Sequence, residues 1–227
     1  MTELCIEKKE LSFKEKLRRG HFIYFLYCKI YEKTMDKKIA NTSLEVWICN
    51  KESGIFPVQS VNYRILRSLK KEIDLGSNDI FVDVGCGMGR LIGYLRVCKI
   101  NGKKTYGIDI NREAAEFSKR LFDGSDDVKV IYGDATKVKI KDATVYMLFN
   151  PFGGEILKSF LDNVEKIAKR DTRIYYLHAV YEDVFYERRE RWELLKRVEI
   201  KPRYHLPVIL CEFKFRGNEE NEILAKS

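Results

Sequence analysis

The sequence lacks most of the features that would place it quickly. Its cysteines, at 5, 28, 49, 86, 98 and 211, form no C-x-x-C pair and no Cys/His cluster with metal-ligand spacing, so no metal is expected. Cys28 and Cys98 sit inside apolar runs and read as small core residues. This usage suits a reducing compartment, and cytoplasmic is the expected location. The start, Met1-Thr2-Glu3-Leu4, lacks the basic, apolar and small-residue order of a signal peptide. The most apolar early stretch, 22–31, is interrupted by Lys29 and falls short of the roughly 20 residues a spanning helix needs. Repeats and low-complexity segments are absent. With three histidines in the chain, no Ser/His/Asp or Cys/His set is apparent.

Apolar residues make up 45% of the 227, enough to build a core, and 33% are charged. Lys and Arg exceed Asp and Glu by 42 to 34, a net +8. Because acidic residues are interspersed with the basic ones, the excess reads as a solvated lysine-rich surface, and a nucleic-acid partner is not expected. The mixed run Glu187-Arg188-Arg189-Glu190-Arg191 reads as a solvated helix end.

Residues 12–39 read as helical, with Phe13, Leu17, Phe22, Phe25, Leu26 and Ile30 at three- and four-residue spacings and Gly20 as a break or kink. Lys14, Lys16, Arg18 and Arg19 precede the aromatic stretch 22–27. Peripheral docking on an anionic membrane, a lid over a substrate, or packing of the helix on the rest of the chain all suit this pattern, and packing is the expectation. Residues 41–57 read as a loop or short irregular elements and 60–71 as a second helix.

From residue 79 short β-rich runs alternate with helical ones. Strands are expected over 80–84, 104–108, 128–132, 143–149 and 173–177, with helices over 90–98, 111–122, 155–168 and 182–189 after the first, second, fourth and fifth. Such alternation implies a parallel α/β sheet with right-handed crossovers. The runs 192–200 and 207–215 are expected to pair antiparallel at the sheet edge. The expected division is an N-terminal helical extension over 1–57, one α/β domain over 58–216 and a polar tail over 217–227. Nothing in the pattern indicates an oligomeric state.

The strongest chemical signal is Phe81-Val82-Asp83-Val84-Gly85-Cys86-Gly87-Met88-Gly89-Arg90, a strand running into three glycines and a helix. Glycine lets the backbone turn sharply and lets a ligand approach, and the helix start offers unpaired N–H groups. Arg90 stands where a dinucleotide G-x-G-x-x-G fingerprint wants its third glycine, and no Gly-Lys-Ser/Thr follows, so nicotinamide and Walker-type readings are weakened. Asp109 ends the second strand, where a carboxylate can accept ribose hydroxyls, and Asp134 follows the third, within reach of an adenine amino group. Each could instead cap the turn after it, but acceptors at successive strand ends in register with the loop, Asp83 included, favour one shared ligand.

These residues resemble the class I S-adenosylmethionine-dependent methyltransferases. Val82–Gly89 is similar to the superfamily's first motif, Gly107-Ile108-Asp109 to its second and Gly133-Asp134-Ala135 to its third. The resemblance spans about residues 58–215 and implies a Rossmann-like seven-stranded sheet with a reversed last strand. It implies S-adenosylmethionine as cofactor, held by Asp83, Gly85, Cys86, Gly87, Gly89, Asp109, Ile110, Asp134, Ala135 and Asn150. Asn150-Pro151-Phe152-Gly153 is similar to the Asn/Asp-Pro-Pro-aromatic motif of amine and amide methyltransferases, which makes Asn150, Pro151 and Phe152 the candidate catalytic residues. Phe152 stands in place of the second proline and Gly153 in place of the aromatic residue. The wider pattern also resembles a group of small bacterial methyltransferase-like proteins. The acceptor implied is a nitrogen on a protein side chain or a small amine; a metabolite or sugar hydroxyl, and a regulatory protein that binds without turnover, remain alternatives. His178 is the candidate base, with a structural histidine as its plain reading, and His21 and His205 lie outside the strand-end crevice.

Overall fold

The structure is a computed structural model that describes residues 22–45, 47–48, 58–169, 171–202 and 206–217. Helix α1 (Phe22–Ala40) leads into β1 (Trp47–Ile48) and β2 (Val58–Gln59), a two-stranded antiparallel pair. Helix α2 (Tyr63–Leu69) follows, opened by Asn62, whose side-chain oxygen accepts the Arg64 N–H at 2.8 Å. Then come β3 (Ile80–Val84), α3 (Arg90–Val97), β4 (Lys104–Asp109), α4 (Arg112–Leu121), β5 (Val128–Tyr132), β6 (Val145–Phe149), α5 (Gly154–Glu165), β7 (Arg173–Leu177), α6 (Asp183–Tyr186), β8 (Trp192–Ile200) and β9 (Val208–Phe215).

The main sheet has seven strands in the order β5-β4-β3-β6-β7-β9-β8. The first five are parallel, β9 is antiparallel to β7, and β8 is antiparallel to β9. This is the expected Rossmann-like sheet closed by a C-terminal hairpin. Chain order reverses between β3 and β6, and ligands of open α/β sheets bind at the strand ends beside such a reversal.

Strand alternation sorts the core into two layers. Val82, Val84, Tyr146, Leu148, Ile174 and Tyr176 face one side, where Leu157, Phe160, Leu161 and Val164 of α5 cover them. Phe81, Val145, Met147, Tyr175 and Leu177 face the other, under Ile65, Leu66 and Leu69 of α2 and Leu91, Tyr94 and Leu95 of α3. Both faces are covered, which is why these strands read as continuous apolar runs.

One expectation needs correction. On α1 the packed residues are Cys28, Glu32, Met35 and Asp36, whereas Leu26 and Ile30 of the expected apolar face are exposed, at 49% and 56%. The buried side of α1 is selected by polar partners, described below, more than by hydrophobic spacing. The part of the expected helix before residue 22, with Gly20 and His21, lies outside the described residues, as do residues 49–57, His205 and the tail from 218.

The Arg-rich run follows α6 and is exposed except at the half-buried Arg188, as expected of a solvated helix end, but it also carries a role the expectation did not give it. Arg188 and Arg191 both turn back onto Glu165, at the C-terminal end of α5, which is 3% exposed. One Glu165 oxygen accepts Arg188 Nη1 at 3.1 Å and Trp192 Nε1 at 2.8 Å; the other pairs with Arg191. Removing Glu165 takes away the acceptor of the buried Trp192 N–H and of Arg188, while the arginines left behind reach solvent or Asp162, so the loss is that of charge-assisted hydrogen bonds, about 1.5–3 kcal/mol. Glu165→Ala is therefore expected to lower the midpoint of chemical unfolding by an amount equivalent to that range, with Glu165→Gln milder because it keeps an acceptor for Trp192. Equilibrium denaturation of the two variants beside wild type measures it.

Candidate functional site

A cavity of about 550 Å³ opens at the carboxyl ends of β3, β4, β5 and β6, within the range of about 300–1,000 Å³ usual for small-molecule sites. Its wall includes the glycine loop, Asp83, Asp109, Ile110, Asp134, Ala135 and the turn Asn150-Pro151-Phe152. Of the residues singled out from sequence, Gly89 alone lies off this wall. It sits one residue before α3, with φ 81°. A Cβ there would meet Ser118 Oγ and the Phe122 ring at 2.6 Å, so its role is close packing of α3 on α4.

The loop is held by backbone and carboxylate bonds. Gly85 and Cys86 donate their N–H groups to the Ile108 carbonyl, at 2.8 and 3.1 Å. Gly87 donates to Asp109 Oδ2 at 2.7 Å, and Asn111 donates to Asp109 Oδ1 at 2.7 Å. Gly85 and Gly87 have φ of 77° and 53°, a region L side chains rarely adopt. A Cβ at Gly85 would come within 3.0 Å of Pro151 Cβ, so glycine is also required for the loop to lie against the β6 turn.

Asp109 is 5% exposed, and burial pushes its carboxyl up against the two backbone bonds that draw it down. Each carboxylate oxygen has lone pairs beyond the one it uses, so hydroxyl donors can still be accommodated. Asp134 is more fully committed to its own turn. Its Oδ1 accepts both the N–H and the hydroxyl of Thr136, at 2.9 and 2.7 Å, and Lys137 pairs with Oδ2 at 3.1 Å. These bonds hold its carboxyl below the usual range, the Thr136 hydroxyl contributing most. The turn-cap reading therefore holds for Asp134, which still borders the crevice.

Asp83 is different. It is 5% exposed, lines the crevice, and its Oδ2 accepts no hydrogen bond. Burial first, and the neighbouring Asp109 charge second, push its carboxyl up to about 8. A buried acceptor without a donor suits a ligand bearing a cationic N–H group. Cys86 also lines the wall, but burial pushes its thiol well up, so it is a neutral wall residue and no nucleophile.

Asn150 follows β6 with φ 42°, and its Oδ1 accepts the Tyr176 hydroxyl at 2.8 Å. Tyr176 is buried, which keeps its hydroxyl protonated and so a donor. Phe152 packs its ring on Phe160, 5.6 Å between centroids, and presents its remaining surface to the crevice. His178, at the end of β7 with φ 55°, reaches the same wall. Sequence reasoning missed Tyr176 as the partner of Asn150, and it missed Ser60 and Val61, which bring the segment between β2 and α2 into the wall. It used Arg90 only to exclude a dinucleotide fingerprint, although Arg90 lines the crevice too.

Residues 81–173 match the family model of a methyltransferase domain. No curated protein matches the chain by sequence. Among solved structures, a chain of a Haloferax volcanii complex containing the Trm112 methyltransferase activator superposes with a TM-score of 0.58 at 14% identity, over 69% of this chain and 90% of that one. The tRNA methyltransferase TrmK of B. subtilis gives 0.55 at 17% identity, over 70% and 68%. The N-methyltransferase NodS of Bradyrhizobium japonicum, solved with S-adenosyl-L-homocysteine, gives 0.51 at 13% identity, over 67% and 84%. The structural likenesses establish a shared fold. The family match makes residues 81–173 a methyltransferase domain, and the donor its crevice suits is S-adenosylmethionine, whose ammonium Asp83 can meet and whose ribose Asp109 can hold.

The raised Asp83 carboxyl generates two expectations. A group with a raised folded pKa stabilises the fold most when protonated in both states, and that contribution is lost as pH rises from the unfolded value, about 4, to about 8. The ligand-free protein should therefore lose thermal stability across this window, and Asp83→Asn should flatten the loss. Binding of an ammonium-bearing ligand below pH 8 should also release a proton. Calorimetry of S-adenosylhomocysteine in buffers of different ionisation enthalpy measures that release, and Asp83→Asn should abolish it.

Proposed function

We propose, on the premise that residues 81–173 are a methyltransferase domain using S-adenosylmethionine, that its acceptor is a nitrogen on a protein side chain or a small amine. The observation that carries this reading is Asn150 in the crevice wall with its amide oriented by Tyr176. When bound, S-adenosylmethionine supplies a methyl group already activated on a sulfonium, so the chain needs little acid–base equipment. Its work is positioning and exclusion of water.

The residues divide that work. The Gly85–Gly87 backbone, Asp83 and Asp109 hold the donor, with Ile110, Asp134 and Ala135 bordering its adenine. Tyr176 fills one lone pair of Asn150 Oδ1 and leaves another for a donor N–H. A nitrogen hydrogen-bonded there turns its own lone pair away from Asn150. Pro151 keeps the turn against Gly85, and Phe152 offers an aromatic surface to positive charge at the reacting centre.

His178 favours a second reading, because an acceptor hydroxyl needs a base and this histidine lines the same crevice. The two readings separate by experiment. The protein is incubated with a lysate and S-adenosylmethionine carrying a labelled methyl group, and the labelled product is fractionated and its methylated atom assigned by mass spectrometry. Label on nitrogen supports the proposal and label on oxygen the second reading; donor binding without label in any fraction would mean a regulatory binding protein. Under the nitrogen reading Asn150→Ala should bind S-adenosylhomocysteine within about threefold of wild type while turnover falls by about a hundredfold, because an ångström of misplacement can cost that much. His178→Ala should then change turnover little; under the oxygen reading it should be the more damaging variant.

Asp109 is tested on the donor side. Charge-assisted hydrogen bonds contribute about 1.5–3 kcal/mol each. Asp109→Ala should weaken S-adenosylhomocysteine binding by well over tenfold, through lost ribose contacts and through release of Gly87. Asp109→Asn keeps one acceptor oxygen and should fall between. Calorimetry gives both constants, and circular dichroism checks that each variant is folded.

A further inference from the structure

The two sides of α1 differ in charge as well as in exposure. Its acidic residues, Glu32 and Asp36, are both buried, while its lysines, Lys29, Lys33, Lys37 and Lys38, are all exposed. The outward side of α1 therefore carries cations and no carboxylate of its own. Along it runs a stripe at three- and four-residue spacing, Ile23, Leu26, Ile30, Lys33 and Lys37, the spacing of one helix face. The first part of the stripe is aliphatic and exposed, Ile23 at 81%, and the second part is lysine. Tyr27 flanks the aliphatic part, its hydroxyl accepting Arg67 Nη1 of α2 at 3.3 Å.

The lysine end of the stripe borders a shallow cavity of about 430 Å³ between the end of α1 and α4. Lys37, Lys38 and Arg120 line it with Asn41 and Thr42, and among the described residues no carboxylate does. Lys33, Lys37, Lys38 and Arg120 have no ion-pair partner among the described residues; Lys29 has the exposed Glu45 at 3.9 Å. Like charges gathered around one hollow repel one another, and an anionic partner relieves that repulsion. The partner must also cover aliphatic side chains. A nucleic-acid backbone would use the cations but leave Ile23 and Ile30 in water, and a second copy of the chain would bring like charges together. An anionic bilayer uses both parts: aliphatic side chains enter the boundary between headgroups and acyl chains, and lysines reach the phosphates. Ile30 and Lys37 are about 10 Å apart along the helix axis, similar to the roughly 5–10 Å depth to which interfacial helices bury their apolar face. With α1 inclined, Ile23 and Leu26 lie below the headgroups while Lys33 and Lys37 lie among them. Lys14, Lys16, Arg18 and Arg19, which precede α1 in the sequence, carry the same sign of charge.

We propose that the outward face of α1 docks the protein on an anionic lipid bilayer, Ile23, Leu26 and Ile30 inserting and headgroup phosphates seating at Lys37, Lys38 and Arg120. The proposal does not depend on which methyl acceptor the crevice takes. The buried side of the same helix is bonded through Asp36 to Arg90 of the crevice wall, at 2.8 Å, so docking holds the crevice near the bilayer.

The test is co-sedimentation of the full chain with lipid vesicles. The protein should bind phosphatidylcholine vesicles that contain phosphatidylserine, bind phosphatidylcholine alone about tenfold more weakly or worse, and leave the mixed vesicles as salt is raised. The double variant Ile23→Asp/Ile30→Asp should weaken binding to the mixed vesicles by about tenfold or more, and so should Lys33→Glu/Lys37→Glu. All four side chains are exposed and lie outside the crevice, so both variants should keep the wild-type circular dichroism spectrum and melting temperature. Absence of binding to the mixed vesicles at low salt overturns the proposal, and equal binding to both kinds of vesicle does the same. Binding that is lost with the lysines but kept by Ile23→Asp/Ile30→Asp means a purely electrostatic contact without insertion, which also overturns it. A concentration-dependent dimer in analytical ultracentrifugation that Ile23→Asp/Ile30→Asp abolishes would assign the face to a second copy of the chain instead.

Discussion

The Asp109 carboxylate, at the end of β4, is the contact on which the crevice depends. By accepting Gly87 on one oxygen and Asn111 on the other, it joins the glycine loop after β3 to the turn that starts α4. With the two N–H bonds to Ile108 O, this sets the height of the loop above the sheet. The loop's position then determines where α3 begins, and so where Arg90 can stand. It also brings Gly85 against Pro151, which locates the β6 turn carrying Asn150. A charge that looks dedicated to a ligand thus first organises the protein's own backbone.

The elements before residue 81 are tied to the same wall by polar contacts. Asp36 of α1, Tyr63 of α2 and the Val61 carbonyl converge on Arg90. Ile39 packs on Gly93, where a Cβ would come within 2.3 Å of it, so α1 approaches α3 closely. Buried ionic groups of this kind contribute less to net stability than to fixing one arrangement, because desolvation offsets much of their attraction. Here the arrangement they fix is the position of the N-terminal helix against the crevice. Among the described residues no helix is long and apolar enough to cross a membrane.

On the opposite edge, β8 and β9 complete the sheet antiparallel to β7, and the cluster around Glu165 ties α5 to the chain entering β8. That cluster explains an arginine-rich run that has the composition of a solvated surface. Two of its three arginines pair with the buried Glu165, Arg188 half-buried and Arg191 from the surface, and Arg189 pairs with Glu190.

The sequence by itself determined the strand order of alternation, the covered sheet and the glycine loop. These follow from local rules: period, apolar runs covered on both faces, and glycines at positive φ after a strand. It also placed Asp83, Asp109 and Asn150 at strand ends, and strand ends of a parallel sheet necessarily share one rim. What tertiary structure alone decided was which polar groups are already spent. Asp134 and Asp109 look alike in sequence, yet Asp134 is held by Thr136 and Lys137 of its own turn, while Asp109 reaches across to Gly87 of the loop after β3. Asn150 gained Tyr176, 26 residues away, and Arg90 gained Asp36, 54 residues away. Periodicity placed Leu26 and Ile30 on the packed face of α1, but a carboxylate needed by a buried guanidinium turned the helix the other way. Hydrogen-bond partners distant in sequence leave no periodic trace, so the donor-facing chemistry of this protein became readable only once the sheet had brought them together.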